Sequence, residues 1–461
     1  MNIVILGAGE IGRHIAESLA RTSHTVLVIE RDRSVANEIN TIIDGKIIIG
    51  CGSMLDTLIE AEAEACDLFM ALTSDTSTNL VACSIVKRIN NNPELRVIAR
   101  SSPLSPKEEA VRRVYGIDNS AYFKIDYVFS SERLVATELE KFIRNPSSLQ
   151  VLEIAGGDIE MQQVSIAGGS KADGSTLRAL ELVEGVRAVA VHRENRYFVP
   201  KADDVLEPGD EITLFGNQTN LKQALTLFDR RKRKTHPRVV IFGGGEYGVT
   251  LANKLLAWDN RVTLLDRDPE VCRRLSAELD GATVLQSDAT SLHNLKEAEV
   301  GSADFFVATT QSDEDNVMTC LQAHDLGPVT CLTLIHRADY AKVLSSSGTR
   351  LGIKAAISPR EATLSTLLRF VTEDPSHKIA ELNYGGKTHG ELIETMVADT
   401  SPIAGRRVCD INWPDNCIVV GRARGNNAKL PSATETLEIG DNIFVMVDPK
   451  SRKSFMKLVG R

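Results

Sequence analysis

Twice in this chain a short apolar run ends in Gly-x-Gly-x-x-Gly. Gly7-Ala8-Gly9-Glu10-Ile11-Gly12 follows Asn2–Leu6, and Gly243-Gly244-Gly245-Glu246-Tyr247-Gly248 follows Val239–Phe242. The spacing has a chemical reason. The first glycine permits the tight turn off a strand, the second lets backbone approach a pyrophosphate, and the third lets the next helix pack closely on the strand. The unpaired N–H groups and positive dipole end of that helix then face the phosphates. An acid follows each loop, Glu30 and Asp266, 23 residues past the first glycine. A carboxylate there accepts hydrogen bonds from the ribose 2′ and 3′ hydroxyls and repels a 2′-phosphate, which favours NAD over NADP. Arg31 and Arg267 come next and either stack on adenine or admit a 2′-phosphate. The motif reads adenosine and phosphates; it does not read the nicotinamide half.

Weaker candidates border the same clefts. Arg13 falls in the first turn of the first helix, where its charge opposes the macrodipole, so it is either a phosphate contact or a solvated side chain. Arg100 and Arg337 are expected at the end of the fifth strand of their repeats, facing the crevice of an open parallel sheet. Thr73, Ser74 and Asn79, with Thr310 and Asn316, follow strand four and are either crevice residues or turn and cap residues. Gly169–Thr176 imitates a P-loop but lacks the lysine before Ser/Thr.

Two glycine loops imply two copies of whatever positions them. A shift of 236 residues carries the first loop onto the second and Glu30-Arg31-Asp32 onto Asp266-Arg267-Asp268. A shift of 237 relates Asp67 to Asp304 and Asn79 to Asn316, and one of 231 relates Gly209-Asp210 to Gly440-Asp441. The order of landmarks is conserved between the halves, so the chain is a duplication of a unit of about 230 residues. Within each unit, short apolar strands (Asn2–Leu6, Thr25–Ile29, Lys46–Ile49, Leu68–Leu72, Val97–Ala99) alternate with helical periodicities such as Ile11, Ile15, Leu19. That pattern predicts a doubly wound parallel sheet of Rossmann type. A small α+β module follows, with strands expected at Val151–Ala155, Gln162–Ile166, Arg187–His192 and Asp210–Phe215 and one short helix near Ser175–Leu182. The expected class is thus α/β, two tandem Rossmann-like sheets each followed by a small α+β module. The expected boundaries are nucleotide domains at 1–124 and 234–355, and modules at 143–227 and 372–455. Linker helices are expected in both repeats. Ser358, Pro359 and Glu361 form a capping box before the stripe Leu364, Leu367, Leu368, Val371, and Ser130 precedes Val135, Leu139, Phe142. Each stripe packs on its own domain or on a partner subunit. The run Arg230–Lys234 joining the repeats is solvated, or touches anionic lipid or an acidic partner.

Composition narrows the function. The chain has 461 residues, 43% hydrophobic and 25% charged, with mean hydropathy -0.10 and no apolar run long enough to cross a membrane. No secretory signal is expected at the start. A net charge of -9 disfavours general nucleic-acid binding. Eight cysteines without any C-x-x-C pair argue against zinc ribbons and redox motifs and suit buried thiols in a reducing cytosol. None of the nine histidines recurs at equivalent places in both repeats, and no metal-ligand spacing appears among them. Asp313-Glu314-Asp315 reads as a helix start. Two nucleotide domains and two repeated modules use up the chain, leaving no substrate domain for a hydride-transfer enzyme. Binding without turnover is the simpler expectation; an NAD-dependent oxidoreductase, or a nucleotide sensor for some other partner, is the alternative.

The residues resemble a known family, the tandem-RCK (or KTN) regulatory subunits of bacterial Trk potassium uptake systems. The resemblance rests on Met1–Gly12, on Glu30-Arg31-Asp32, on Thr73-Ser74 with Asn79, on Val97-Ile98-Ala99-Arg100 and on the tandem arrangement, and it covers nearly the whole chain. It implies a cytoplasmic protein, peripheral on the inner face of the inner membrane. It further implies a homotetrameric ring under a TrkH-like potassium channel subunit, with NAD(H) and ATP/ADP bound in the clefts to alter gating. Such domains often carry Gly-Asp after strand three. The second repeat has Ser287-Asp288, and the first has Gly50-Cys51, so ligand preference is expected to differ between the halves.

Overall fold

The computed structural model describes residues 1–22, 24–43, 45–103, 122–146, 148–155, 158–194, 196–229, 236–347, 351–368, 370–371, 376–384, 387–424 and 427–460. The basic run Arg230–Lys234 lies outside them.

The first repeat opens with β1 (Asn2–Leu6), α1 (Glu10–Ala20), β2 (Thr25–Glu30), α2 (Arg33–Asn40), β3 (Lys46–Ile49), α3 (Leu55–Glu60), β4 (Leu68–Ala71), α4 (Thr76–Ile89), β5 (Arg96–Arg100) and β6 (Tyr127–Phe129). All six strands are parallel, in the order β3-β2-β1-β4-β5-β6. The order reverses at β1/β4, which opens the crevice above the carboxyl ends of those strands. β1 and β4 are covered on both faces, as their unbroken apolar runs demand.

Next comes an antiparallel module: β7 (Ser148–Ile154), β8 (Ile159–Ser165), β9 (Arg187–Arg193), β10 (Arg196–Phe198) and β11 (Glu211–Gly216), ordered β10-β9-β11-β8-β7. The helix expected over Ser175–Leu182 is absent. That stretch is a series of turns, tied by a bridge from Thr176 to Val205 and broken by Glu181 at φ 44°. The module's helix is Gln218–Ala224, capped by the Asn217 side chain, which accepts the Asn220 N–H at 2.8 Å.

The second repeat follows the same plan. β12 (Arg238–Phe242), β13 (Arg261–Asp266), β14 (Thr283–Gln286), β15 (Phe305–Ala308), β16 (Thr330–Leu334) and β17 (Ile353–Ile357) form a parallel sheet ordered β14-β13-β12-β15-β16-β17. β18 (Ser376–Tyr384), β19 (Lys387–Met396), β20 (Cys417–Arg424), β21 (Asn427–Lys429) and β22 (Asn442–Val447) form the antiparallel one, ordered β18-β19-β22-β20-β21. The repeated Gly-Asp pair now has a structural reason. Gly209 and Gly440 take φ of 87° and 86°, and Asp210 and Asp441 behind them are each 1% exposed. Each carboxylate holds an arginine in a fork. Arg193 reaches Asp210 at 2.7 and 2.7 Å, and Arg424 reaches Asp441 at 2.6 and 2.8 Å.

The compact units are not the sequence repeats. Residues 1–143 and 234–371 form one unit, the two parallel sheets with their linker helices; residues 144–233 and 372–461 form the other. In the second unit both antiparallel sheets contribute to one core, Ile159, Met161 and Phe215 with Leu392, Phe444 and Met446. Arg187 ties them further, donating to the carbonyls of Val419 (2.7 Å) and Pro431 (2.8 Å).

In the first unit the linker helices cross. Val135, Ala136, Leu139 and Ile143 of helix Ser131–Arg144 lie in the core of the second sheet, with Val239, Ile241 and Leu251. Leu367 of helix Pro359–Leu368, with Val371 just beyond it, lies in the core of the first sheet, with Ile3, Ile5 and Ile15. The apolar stripes therefore pack not on their own domain but on the other lobe of the same chain. Lys254 of the second lobe seals one crossing with an ion pair to Glu140 at 2.9 Å. The expected caps differ as well. Ser130 accepts the Arg133 N–H at 3.2 Å, while the buried Ser358 hydroxyl has no hydrogen-bond partner among the described residues and its carbonyl closes the turn.

Candidate functional site

Both glycine loops adopt the geometry their spacing demands. Gly7 and Gly243 sit at φ 97° and 110°. A Cβ on Gly12 would lie 1.9 Å from the Gly7 oxygen, and one on Gly248 would lie 2.0 Å from the Gly243 oxygen. A Cβ on Gly9 or Gly245 would meet nothing within 4 Å. These two glycines are the N-cap residues of their helices, and no side chain caps either end. The free N–H groups thus open toward the crevice, an arrangement suited to phosphate oxygens.

The acids brace the loops. Glu30 accepts the Ala8 N–H (2.7 Å) on one oxygen and the Asp32 N–H (2.8 Å) on the other. Asp266 does the same with Gly244 (2.6 Å) and Asp268 (2.9 Å). Each oxygen keeps lone-pair capacity for a ribose hydroxyl. Arg31 and Arg267 are exposed beside them.

In the first repeat these parts enclose a cleft of about 320 Å3. Gly7, Gly9, Glu10, Ile11, Glu30, Arg31, Thr73, Ser74 and Arg100 all line it, as do Cys51 and Asp75. The Cys51 thiol is pulled below its ordinary range by hydrogen bonding with Ser53, its Sγ lying 3.1 Å from Oγ. Asp288 holds the matching place in the second repeat. The Thr290 hydroxyl donates to it at 2.7 Å and the Thr290 N–H at 3.0 Å, which lowers its carboxyl.

Asn79 stands apart from the other candidates. It is fully buried, and its carboxamide accepts from the Thr73 N–H and hydroxyl while donating to the carbonyls of Thr73 and Arg100. Asn316 repeats this with Thr310 and Leu334. Both asparagines clamp the ends of strands four and five together, and their polar atoms are spent on that task. Arg13 turns away to Glu38, at 2.6 Å.

The arginines expected to correspond do not. Ala71 pairs with Ala99 across β4 and β5, and Ala308 pairs with Thr333 across β15 and β16. The counterpart of Arg100 is therefore Leu334. Arg337 lies three residues farther on, past the strand end; it stacks over Tyr340 at 4.0 Å, and its N–H donates to Asp313 at 2.9 Å. Arg100 does end β5, and its guanidinium meets the buried Glu132 at 3.1 Å. Glu132 and Arg360 were not evident from the sequence. They occupy the same place in the two repeats, three residues past Phe129 and Ile357, which pair with Arg100 and Leu334. Arg360 reaches Glu10 at 2.8 Å. Asp313 takes the N–H groups of His336 and Arg337, and among the described residues no group of His, Cys, Asp and Glu is arranged to hold a metal ion.

The TrkA-N domain model matches residues 3–120 and 239–359, and the TrkA-C domain model matches residues 161–229 and 392–460. The Trk system potassium uptake protein TrkA of Halomonas elongata is 30% identical over 98% of this chain and 97% of its own length. The protein of the same name from Vibrio alginolyticus is 27% identical over 97% and 96%. Among solved structures, the GsuK RCK domain covers 99% of this chain and 94% of its own at TM-score 0.59 and 17% identity, a likeness of fold. The NAD-bound GsuK channel gives the same TM-score and identity, covering 99% of this chain and 78% of its own. With both domain models matched twice, in register with the duplication, the chain belongs to the TrkA family of Trk-system potassium uptake proteins.

Proposed function

We propose that this chain is the nucleotide-sensing regulatory subunit of a potassium uptake system. It binds NAD(H) or ATP/ADP in its glycine-loop clefts and gates a TrkH-like membrane channel through a change in ring shape. The observation that carries this reading is the doubled cleft: an uncapped helix end beneath an open glycine, beside an acid with spare acceptor capacity, in both repeats. The relatives' name supplies the potassium system, and one solved neighbour is described as bound to NAD. A homotetrameric ring, peripheral on the inner face of the membrane, fits an exposed apolar surface that recurs in both lobes. Leu55 and Val81 have their counterparts in Leu292 and Met318. No described helix is long and apolar enough to cross a membrane.

A ligand biases gating only through its differential affinity for two ring shapes. In this reading Arg100 supplies that difference, since a terminal phosphate would compete with Glu132 for its guanidinium, a contact supported by the Arg100–Glu132 ion pair at 3.1 Å. The test has two arms. The full chain is titrated with NADH, NAD, ADP and ATP, and is used as bait on solubilised membranes with and without nucleotide. Binding without recovery of a potassium channel subunit would leave a sensor for another partner. Turnover of NADH with a carbonyl substrate would replace the reading with an oxidoreductase. If Arg100→Ala leaves ATP and ADP affinities and potassium flux unchanged, the Arg100 mechanism is wrong.

A further inference from the structure

Glu10 is an unexpected residue in a phosphate cleft. It is the first residue of α1, lines the first cleft, and carries negative charge beside the helix end where phosphates are to lie. It does not act alone. The Arg360 Nε donates to its Oε1 at 2.8 Å, and Arg360 belongs to the other repeat, as the second residue of the crossing helix Pro359–Leu368.

Among the described residues the second cleft lacks this arrangement. The counterpart of Glu10 is Glu246, and the counterpart of Arg360 is Glu132. Burial first, and then the charge of Glu132, push the phenol of Tyr247, the residue after Glu246, upward. Glu132 is held by Arg100 and by the Ser130 hydroxyl, at 3.1 and 2.7 Å. Glu10 is thus paired with an arginine from the opposite repeat, while the place equivalent to that arginine carries a carboxylate, Glu132, itself paired with Arg100.

We propose that Arg360 is a positioning residue for the first cleft. By neutralising Glu10 it lets the terminal phosphates of a nucleoside di- or triphosphate rest on the α1 N-terminus, and it biases the first cleft, relative to the second, toward ligands of higher phosphate charge. The inference rests on the nucleotide reading above. Its physical basis is Coulombic. A carboxylate paired at hydrogen-bond distance acts as a dipole, whose field falls off faster than that of a bare charge. Glu10 and Arg360 side chains are 43% and 33% exposed, so solvent screens the effect to a modest size.

Cys51 provides a reporter confined to the first cleft. It is partly exposed there, Cys409 is exposed, and the other six cysteines are buried. In full-length Cys409→Ser protein, the rate of Cys51 alkylation by N-ethylmaleimide is measured against rising adenosine, AMP, ADP and ATP. Arg360→Gln is expected to raise the half-protecting ATP concentration about fivefold and leave adenosine unchanged. Adding Glu10→Gln returns ATP to the parental value, and Glu10→Gln alone strengthens ATP relative to adenosine. That last measurement stands if Arg360→Gln does not fold. Equal weakening for adenosine and ATP, or no recovery in the double variant, overturns the proposal. Parental protein protected by none of the four ligands sinks the nucleotide reading itself.

Discussion

Truncating Leu139 tests the crossing of the linker helices. By sequence Leu139 belongs to the first repeat, yet it is fully buried in the core of the second parallel sheet. Leu139→Ala removes three carbons' worth of contact and leaves a cavity bounded by the second lobe, a change that costs about 3 kcal/mol at sites this well buried. Since 1.4 kcal/mol is tenfold in an equilibrium constant, that equals about a hundredfold loss of protection for amides exchanging through opening of the damaged lobe. Native-state hydrogen exchange read by mass spectrometry resolves the two lobes. Peptides spanning β12 and β13 should lose most protection, and those spanning β1 and β2 least. Leu367→Ala should produce the mirror image, because Leu367 lies in the core of the first sheet. If Leu139→Ala loosens β1 and β2 more than β12 and β13, the assignment of each helix to the opposite lobe is wrong.

Two further outcomes follow from local geometry. Gly12→Ala puts a Cβ 1.9 Å from a carbonyl oxygen and should lower stability by about 1–3 kcal/mol in a thermal melt, whereas Gly9→Ala meets open space and should leave the melt unchanged while weakening nucleotide binding at least about tenfold. Burial alone raises the Asp441 carboxyl, but hydrogen bonds from Arg424 and the Glu438 N–H outweigh it and hold the group below the ordinary carboxylate range. A depressed folded value means that its stabilisation is present above the unfolded value of about 4 and is lost as pH falls through the folded one. Circular-dichroism melts should therefore show the second unit weakening below about pH 4, and Asp441→Asn should cost about 2 kcal/mol at neutral pH and flatten that decline.

The duplication, the parallel sheets and the glycine loops were legible because each rests on local spacing. Glycines at fixed offsets and apolar runs of strand length carry their meaning within a dozen residues. What failed was whatever depends on distant partners. Arg100 and Arg337 align by sequence shift, but the connection from strand four to strand five is three residues longer in the first repeat, and only strand register reveals Leu334 as the true counterpart. Asn79 looks like a crevice residue by position; its burial comes from a carbonyl 21 residues away. The stretch 175–182, expected as a short helix, instead follows a glycine at φ 72°, contains Glu181 at φ 44° and is bridged from Thr176 to Val205. An apolar stripe states how much surface a helix must hide, not which surface hides it, so the crossing of the linkers had no local signature.

The crossing bears on how such a chain comes to exist. Half of this protein made alone would have a linker helix with a bare stripe and a sheet with a bare groove, and two such halves would satisfy each other only by exchanging helices. Joining the halves turns that exchange into an intramolecular event at high effective concentration. It also releases the two halves from having to be identical. In an exchanged pair of equal halves the same residue would stand at the position of Glu132 on both sides, whereas in the fused chain one side carries Glu132, paired with Arg100, and the other carries Arg360, paired with Glu10. Covalent fusion therefore lets one structural plan hold two unlike pockets, a difference that no symmetric pair of identical halves can encode.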